Sequence, residues 1–222
     1  MAIVKKRDFV EIDYTGRLRE DGSIFDTTEE KIAKENGVYD KNAHYHSAVI
    51  CIGESNILKE LEERLIGKET GREYSFEIES NRAFGRKDAR LIQMIPLNKF
   101  KHQKIQPMPG LQLNIDGVFG IVKTVSGGRV LVDFNHPLAG KDIVYDVKIK
   151  RVIDDDAEKV RALLHLVFHM HDAEIETKDG YLTIKVKDEI PNEAQEEFRK
   201  IVERTVEGIK SVAFKAAEEK NK

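Results

Sequence analysis

The stretch YTGRLREDGSIFDTT, Tyr14 to Thr28, holds the residues best suited to chemistry in this chain of 222. Glu20-Asp21-Gly22 reads as a tight hairpin turn, since Asp-Gly readily adopts positive φ angles. That turn folds Tyr14 back toward Phe25 and Asp26. Asp26 follows an apolar Ile24-Phe25 pair, so a carboxylate stands where the pattern runs toward a core or a pocket. An ionised carboxylate only accepts hydrogen bonds, and a tyrosine hydroxyl is a suitable donor when the acid loses water. Such a pair orients and polarises a ligand; it makes no covalent bond.

Other chemistry-bearing residues are sparse. The single cysteine, Cys51, lies in the apolar run AVICIG and reads as a small buried hydrophobe; with no second cysteine the chain forms no internal disulfide. His165 and His169 stand at i, i+4 with His171 just beyond, a spacing that can bind metal on a helix. The end KAAEEKNK offers only carboxylates, so HLVFHMH reads as a partly buried helix face and no metal or other cofactor is assigned. His44 and His46 in HYHS read as surface, and His136 in NHPLAG as a turn or pocket-rim residue.

These residues need elements to position them. Phe9 to Leu18 alternates as a strand with Val10, Ile12 and Tyr14 on one face. TTEEKIAKENG reads as a short helix begun by Thr27 and ended by Gly37, and AVICIG as a strand. In SNILKELEERLIGKETG, Leu58, Leu61 and Leu65 form one helical stripe that Gly67 or Gly71 can end. YSFEIES is a strand. From Arg86 the texture changes: LIQMIPLNKFKHQKIQPMPG is rich in proline and methionine and shows neither period. GLQLNID, VFGIVKTV and RVLVDF follow as strands around Asp116-Gly117 and Gly127-Gly128, then DIVYDVKIKRVI. After Asp154-Asp155-Asp156 the order is helix, strand, strand, helix, strand, an α+β module.

VEIDYTGRL, IFDTT, IGESNILKELEERLIGKETG, AFG and VDFNHPLAGKDIVYDVKI, in this order over about residues 1–153, resemble FKBP-type peptidyl-prolyl isomerases. The likeness is to the SlyD-like and long archaeal branch, which carries an insert-in-flap domain and a C-terminal extension. The resemblance implies an α+β fold: an antiparallel sheet wrapped on one helix (1–86 and 131–153), a small β insert (87–130) and a C-terminal α+β domain (154–222). It implies rotation of X-Pro bonds in unfolded or partly folded chains, coupled to chaperone activity. Tyr14, Asp26 and Phe84 would be catalytic, and Phe25, Ile57, Leu58, Leu61, Leu138 and Tyr145 would bind substrate. Leu91, Ile92, Met94, Ile95, Phe100, Ile105, Met108, Leu111 and Phe119 of the insert would hold clients, and the C-terminal domain would form a homodimer. Many relatives have tyrosine where Phe84 stands and tryptophan where Leu61 stands, so the alternative is a client-binding chaperone with a weak or vestigial isomerase.

Composition narrows the partners. The formal charge of -3 gives no positive field for nucleic acid, and no run approaches the ~18 apolar residues of a membrane span. The start MAIVKKRDFVEI passes directly into a strand without a signal-peptide core, so a cytoplasmic protein is expected.

Overall fold

The computed structural model describes residues 1–115, 117–170, 173–186 and 190–216, which divide into two compact units. The first comprises Met1–Arg17, Ser23–Phe76 and Val144–Lys222, and the second Leu18–Gly22 and Glu77–Ile143. The architecture is α+β, with short helices and largely antiparallel sheets.

The first sheet is built on β1 (Phe9–Leu18), whose alternation buries Phe9, Val10 and Ile12. Its order is β2-β1-β9-β4, with β2 at Ile24–Thr27, β4 at Glu73–Ile78 and β9 at Ile143–Ile153. The strand β3 (Ala48–Cys51) pairs antiparallel with the opening half of β1. Two helices are shorter than their sequence pattern suggests. The helix α1 is Glu30–Glu35, and Thr27 does not begin it. Its hydroxyl, like that of Thr28, is committed to the carbonyl of Tyr14. The helix α2 is only Lys59–Leu65. The preceding loop is held out of the helix by the buried Glu62 carboxylate, which accepts backbone N–H bonds from Gly53, Ser55, Asn56 and Ile57. A carboxylate with four donors is satisfied without water, so burial becomes tolerable and the loop becomes rigid.

The C-terminal part adds α4 (Asp156–Phe168), β10 (Glu174–Lys178), β11 (Tyr181–Val186), α5 (Asn192–Thr205) and β12 (Ser211–Ala216). Asp155 caps α4 by accepting from the Glu158 N–H at 2.7 Å, as its place in the acidic run just before an apolar-periodic segment suggests. The strands order as β10-β11-β12, the second pair parallel, as a crossover through α5 requires. Val160, Leu163, Leu164, Phe198 and Val202 share one core with Phe9 and Cys51 of the first sheet. Arg151 bonds to both Glu11 and Glu158, adding a charged tie on the same side. The C-terminal segment therefore packs as part of the first unit. His171 lies outside the described residues.

In the second unit, β5 (Ile92–Pro96), β6 (Gln112–Ile115), β7 (Val118–Ser126) and β8 (Arg129–Asp133) form an antiparallel sheet in the order β5-β8-β7-β6. The stretch without visible periodicity holds β5 and the six-residue helix α3 (Leu97–His102). Six residues supply one turn and a half, and Phe100 is the only buried one, so no stripe can show in the sequence. Phe100, Leu113, Val122, Val130 and Val132 form the core, with Ile95, Ile105 and Leu111 packed on it. Phe100, 3% exposed, is thus a core residue and is not presented to a client.

Candidate active site

The site begins with the register of β1 on β2. Thr15 faces Thr27 and Gly16 faces Asp26, but Arg17 faces Ile24, so Phe25 is an extra residue on β2. Consecutive residues of a regular strand point to opposite faces; a bulge re-aims one of them. Phe25 and Asp26 accordingly line the same cavity. The bulge is braced by Thr15 and Thr27, whose hydroxyls meet at 2.9 Å, and by Tyr14, whose N–H donates to the Thr28 hydroxyl at 2.9 Å.

An aromatic corner forms around it. Tyr145 of β9 packs edge-on to Tyr14 and to Phe25, with ring centroids 5.8 Å apart in both pairs. Gly16 makes this possible: a Cβ there would lie 2.7 Å from the Phe25 ring and 2.9 Å from that of Tyr145. The Tyr14 hydroxyl donates to Asp26 Oδ2 at 3.1 Å. Asp26 is open at one edge but crowded enough that lost hydration pushes its pKa above the ordinary carboxylate value, opposed by the Tyr14 hydroxyl and the Thr27 N–H. Burial, reinforced by the Asp26 charge, raises both Tyr14 and Tyr145 well above the usual phenol, so both keep their protons. Burial also lifts the Cys51 thiol to about 12, which removes it as a nucleophile.

Tyr14, Phe25 and Asp26 open on a cavity of ≈ 310 Å³, completed by the 38–49 segment and by His165 and Leu166 of α4. Ile57 and Leu58 are half-buried beside the Glu62-pinned loop, and Leu61 is 1% exposed. None of these three lines that cavity. Phe84 and Leu138 belong to the second unit. There Phe84 stacks on His136 at 4.7 Å and 1°, and the Leu138 N–H donates to His136 Nδ1 at 3.1 Å.

A family model described as FKBP-type peptidyl-prolyl cis-trans isomerase matches residues 2–106, and one described as FKBP26, IF domain, matches 93–138. The short-type peptidyl-prolyl cis-trans isomerase of Methanocaldococcus jannaschii is 33% identical over 156 residues, 70% of this chain and 98% of that protein. The chain belongs to the FKBP-type peptidyl-prolyl cis-trans isomerases. The FKBP-type 16 kDa isomerase of Escherichia coli is 28% identical over 47% of this chain and 73% of its own. SlyD of Helicobacter pylori is 25% identical over 58% of this chain and 71% of its own.

For this isomerase no covalent step is needed, which suits a site without a nucleophile. Among the described residues, no cluster of three or more His, Cys, Asp or Glu is placed to hold a metal, and no helix is long and apolar enough to cross a membrane.

Two features escaped the sequence. Glu62 looked like one acid in a charged helix, yet its four backbone partners set the loop carrying Ile57. His44 and His46 looked like surface, and both are exposed, yet with Tyr45 between them they border the cavity. Only their density of rings two residues before a strand could have hinted at it.

Proposed function

We propose that this isomerase binds the X-Pro bond in the corner made by Tyr14, Phe25 and Tyr145, with Asp26 facing the substrate carbonyl. The observation that carries this reading is the Tyr14–Asp26 hydrogen bond inside that aromatic corner. Rotation about a peptide bond costs roughly 18–20 kcal/mol because resonance is lost on twisting. A catalyst need only favour the twisted amide, at about 1.4 kcal/mol per tenfold in rate. The twisted amide has less charge separation, so a water-poor aromatic wall disfavours it less than the planar form. The Asp26 carboxylate complements the carbonyl carbon, and Tyr14 fixes its orientation. The family resemblance further assigns Ile57, Leu58, Leu61, Leu138 and Phe84 to substrate binding. The test is catalysed isomerisation of a proline tetrapeptide by the intact protein and by Asp26→Asn, which should fall at least several-fold; equal rates would overturn the assignment.

The isomerase is further read as a chaperone whose insert, residues 87–130, captures unfolded, proline-containing clients. Leu91, Met94, Met108 and Phe119 are 41%, 59%, 57% and 42% exposed, and exposed Met-rich apolar surface suits varied partners. Ile92, Ile95, Ile105 and Leu111 are half-buried and support that surface. Residues 154–222 are assigned to homodimerisation by family resemblance, and the single buried thiol fits a cytoplasmic setting. A chaperone with a weak isomerase is the second reading. It is favoured by Phe84, which stacks on His136 and has no hydroxyl to offer a substrate backbone.

A further inference from the structure

Charge is unevenly spread along this chain. Residues 87–130 carry seven Lys and Arg against two Asp and no Glu, while the other residues carry thirty Lys and Arg against thirty-eight Asp and Glu. The overall charge of -3 therefore conceals a basic insert in an acidic protein. Some of the insert's cations are already paired: Lys87 and Lys123 reach Asp133, and Arg90 reaches Asp88. Lys99, Lys101 and Lys104, exposed on α3 and just after it, and Arg129 of β8 pair with no carboxylate among the described residues.

Arg129 stands beside a hollow. Along β5 and β8, Ile95 faces Val130 and both turn to the core, so the next pair, Met94 and Leu131, turns to the opposite face. Arg129 shares that face with them and with Thr124 of β7, which pairs with Leu131. The β7–β8 hairpin reverses through Gly127 and Gly128, both at positive φ, whose missing side chains leave the end of this face uncovered. The result is a cavity of ≈ 290 Å³ lined by Met94, Thr124, Ser126, Gly127, Arg129 and Leu131. Arg129 donates to Met94 Sδ at 3.6 Å, a weak acceptor that steadies the guanidinium and leaves its remaining N–H groups for a better one.

A thioether and a leucine receive an apolar side chain, and a guanidinium takes a carboxylate through two parallel hydrogen bonds. Successive residues of an extended chain lie only ~3.3–3.8 Å apart, so an acid next to the apolar residue comes within reach of Arg129. We propose that this face of the insert binds client segments in which an apolar residue is flanked by Asp or Glu, and that the insert's positive charge turns basic segments away. The inference rests on the reading that the insert captures unfolded clients. Lys99, Lys101 and Lys104 add an attraction that extends over about a Debye length, ~8 Å at physiological salt, and so speeds encounter more than it deepens affinity.

The test measures binding of fluorescein-labelled, proline-free peptides to the full-length protein, each with a Leu-Phe-Leu core flanked on both sides by Glu, Gln or Lys. Affinity should fall in that order, and the spread should shrink as salt is raised. Arg129→Gln should weaken the Glu peptide by up to about fivefold, the scale of one exposed ion pair, and leave the Gln peptide within about twofold. Lys178→Gln, the same loss of charge at an exposed position outside the insert, should leave all three unchanged. Equal affinities for the Glu and Lys peptides, or a preference untouched by Arg129→Gln, would overturn the proposal. So would a single-stranded RNA that binds more tightly than the Glu peptide and is weakened by Arg129→Gln, since the basic face would then be a nucleic-acid surface. Absence of binding to all three peptides, with no suppression of client aggregation, would overturn client capture itself and the proposal with it, so the two failures remain distinct.

Discussion

The corner around Asp26 and the sheet formed by residues 92–133 handle apolar side chains in opposite ways. In the corner, each ring is fixed: Gly16 clears space, a bulge aims Phe25, and Tyr145 is 6% exposed against two edge-on partners. On the sheet, a small core is closed around Phe100, while Met94, Met108, Val118 and Phe119 stay in solvent. Discriminating a twisted from a planar amide needs fixed geometry, because a displacement of about 1 Å can cost 10²-fold. Holding many sequences needs the reverse: flexible thioethers and a surface that repacks. In the proposed function the two regions separate catalysis from capture by how tightly their apolar groups are held.

The largest effect should come from loosening the corner. Gly16→Val places a branched side chain where one Cβ already meets the Phe25 and Tyr145 rings below 3 Å. Isomerisation of a proline tetrapeptide should fall by about 10²-fold or more. Binding of an unfolded, proline-free client, followed by suppression of its aggregation, should remain; joint loss of both would end the separation. The converse change is Met94→Ser with Met108→Ser and Phe119→Ser, all at exposed positions. Client affinity should weaken by about tenfold, roughly the burial of one large apolar side chain at 1.5–3 kcal/mol, and tetrapeptide turnover should be unchanged. A parallel fall in tetrapeptide turnover would place these residues in catalysis.

The legibility of the two regions in sequence follows from the same contrast. The strands of the first sheet were readable because burial on one face writes alternation into Phe9 to Leu18. Tyr14, Phe25 and Asp26 were identifiable as types, but their convergence depends on a one-residue register shift that no local pattern encodes. Helix ends were misread where polar side chains serve tertiary partners: Thr27 and Thr28 bond to β1, and Glu62 bonds to a loop. The α3 helix was invisible because a six-residue element with one buried residue has no period. The cavity wall from α4 was invisible for a different reason: it joins segments more than a hundred residues apart, which the shared core of Phe9, Cys51 and Leu164 brings together.

A smaller change tests whether the corner works at full strength. Phe84 stacks on His136, so a hydroxyl added by Phe84→Tyr extends an already packed ring. One hydrogen bond to substrate is worth about 0.5–1.5 kcal/mol net, or roughly a two- to twelvefold gain in kcat/KM. A gain without change in client affinity would show that Phe84 limits turnover; no gain would mean that the substrate backbone does not pass this ring.

The smallest effect concerns the proton on Asp26. Lost hydration raises its pKa, while the Tyr14 hydroxyl and Thr27 N–H lower it. If the ionised acid serves turnover, the acid limb of kcat/KM lies above the ordinary carboxylate range. Tyr14→Phe removes a bond that favours the ionised form, so this limb should move to higher pH. Folding carries the same proton with its own sign. Asp26 binds a proton more tightly in the folded than in the unfolded chain, so its contribution to stability is fully present below the ordinary carboxylate pKa. It declines as pH rises through the raised one. Asp26→Asn should abolish this decline in a denaturation series across acidic pH, and Tyr14→Phe should displace it upward with the activity limb. An activity limb that moves while the stability slope stays fixed would assign the titration to another group and leave Asp26 with a purely positional part.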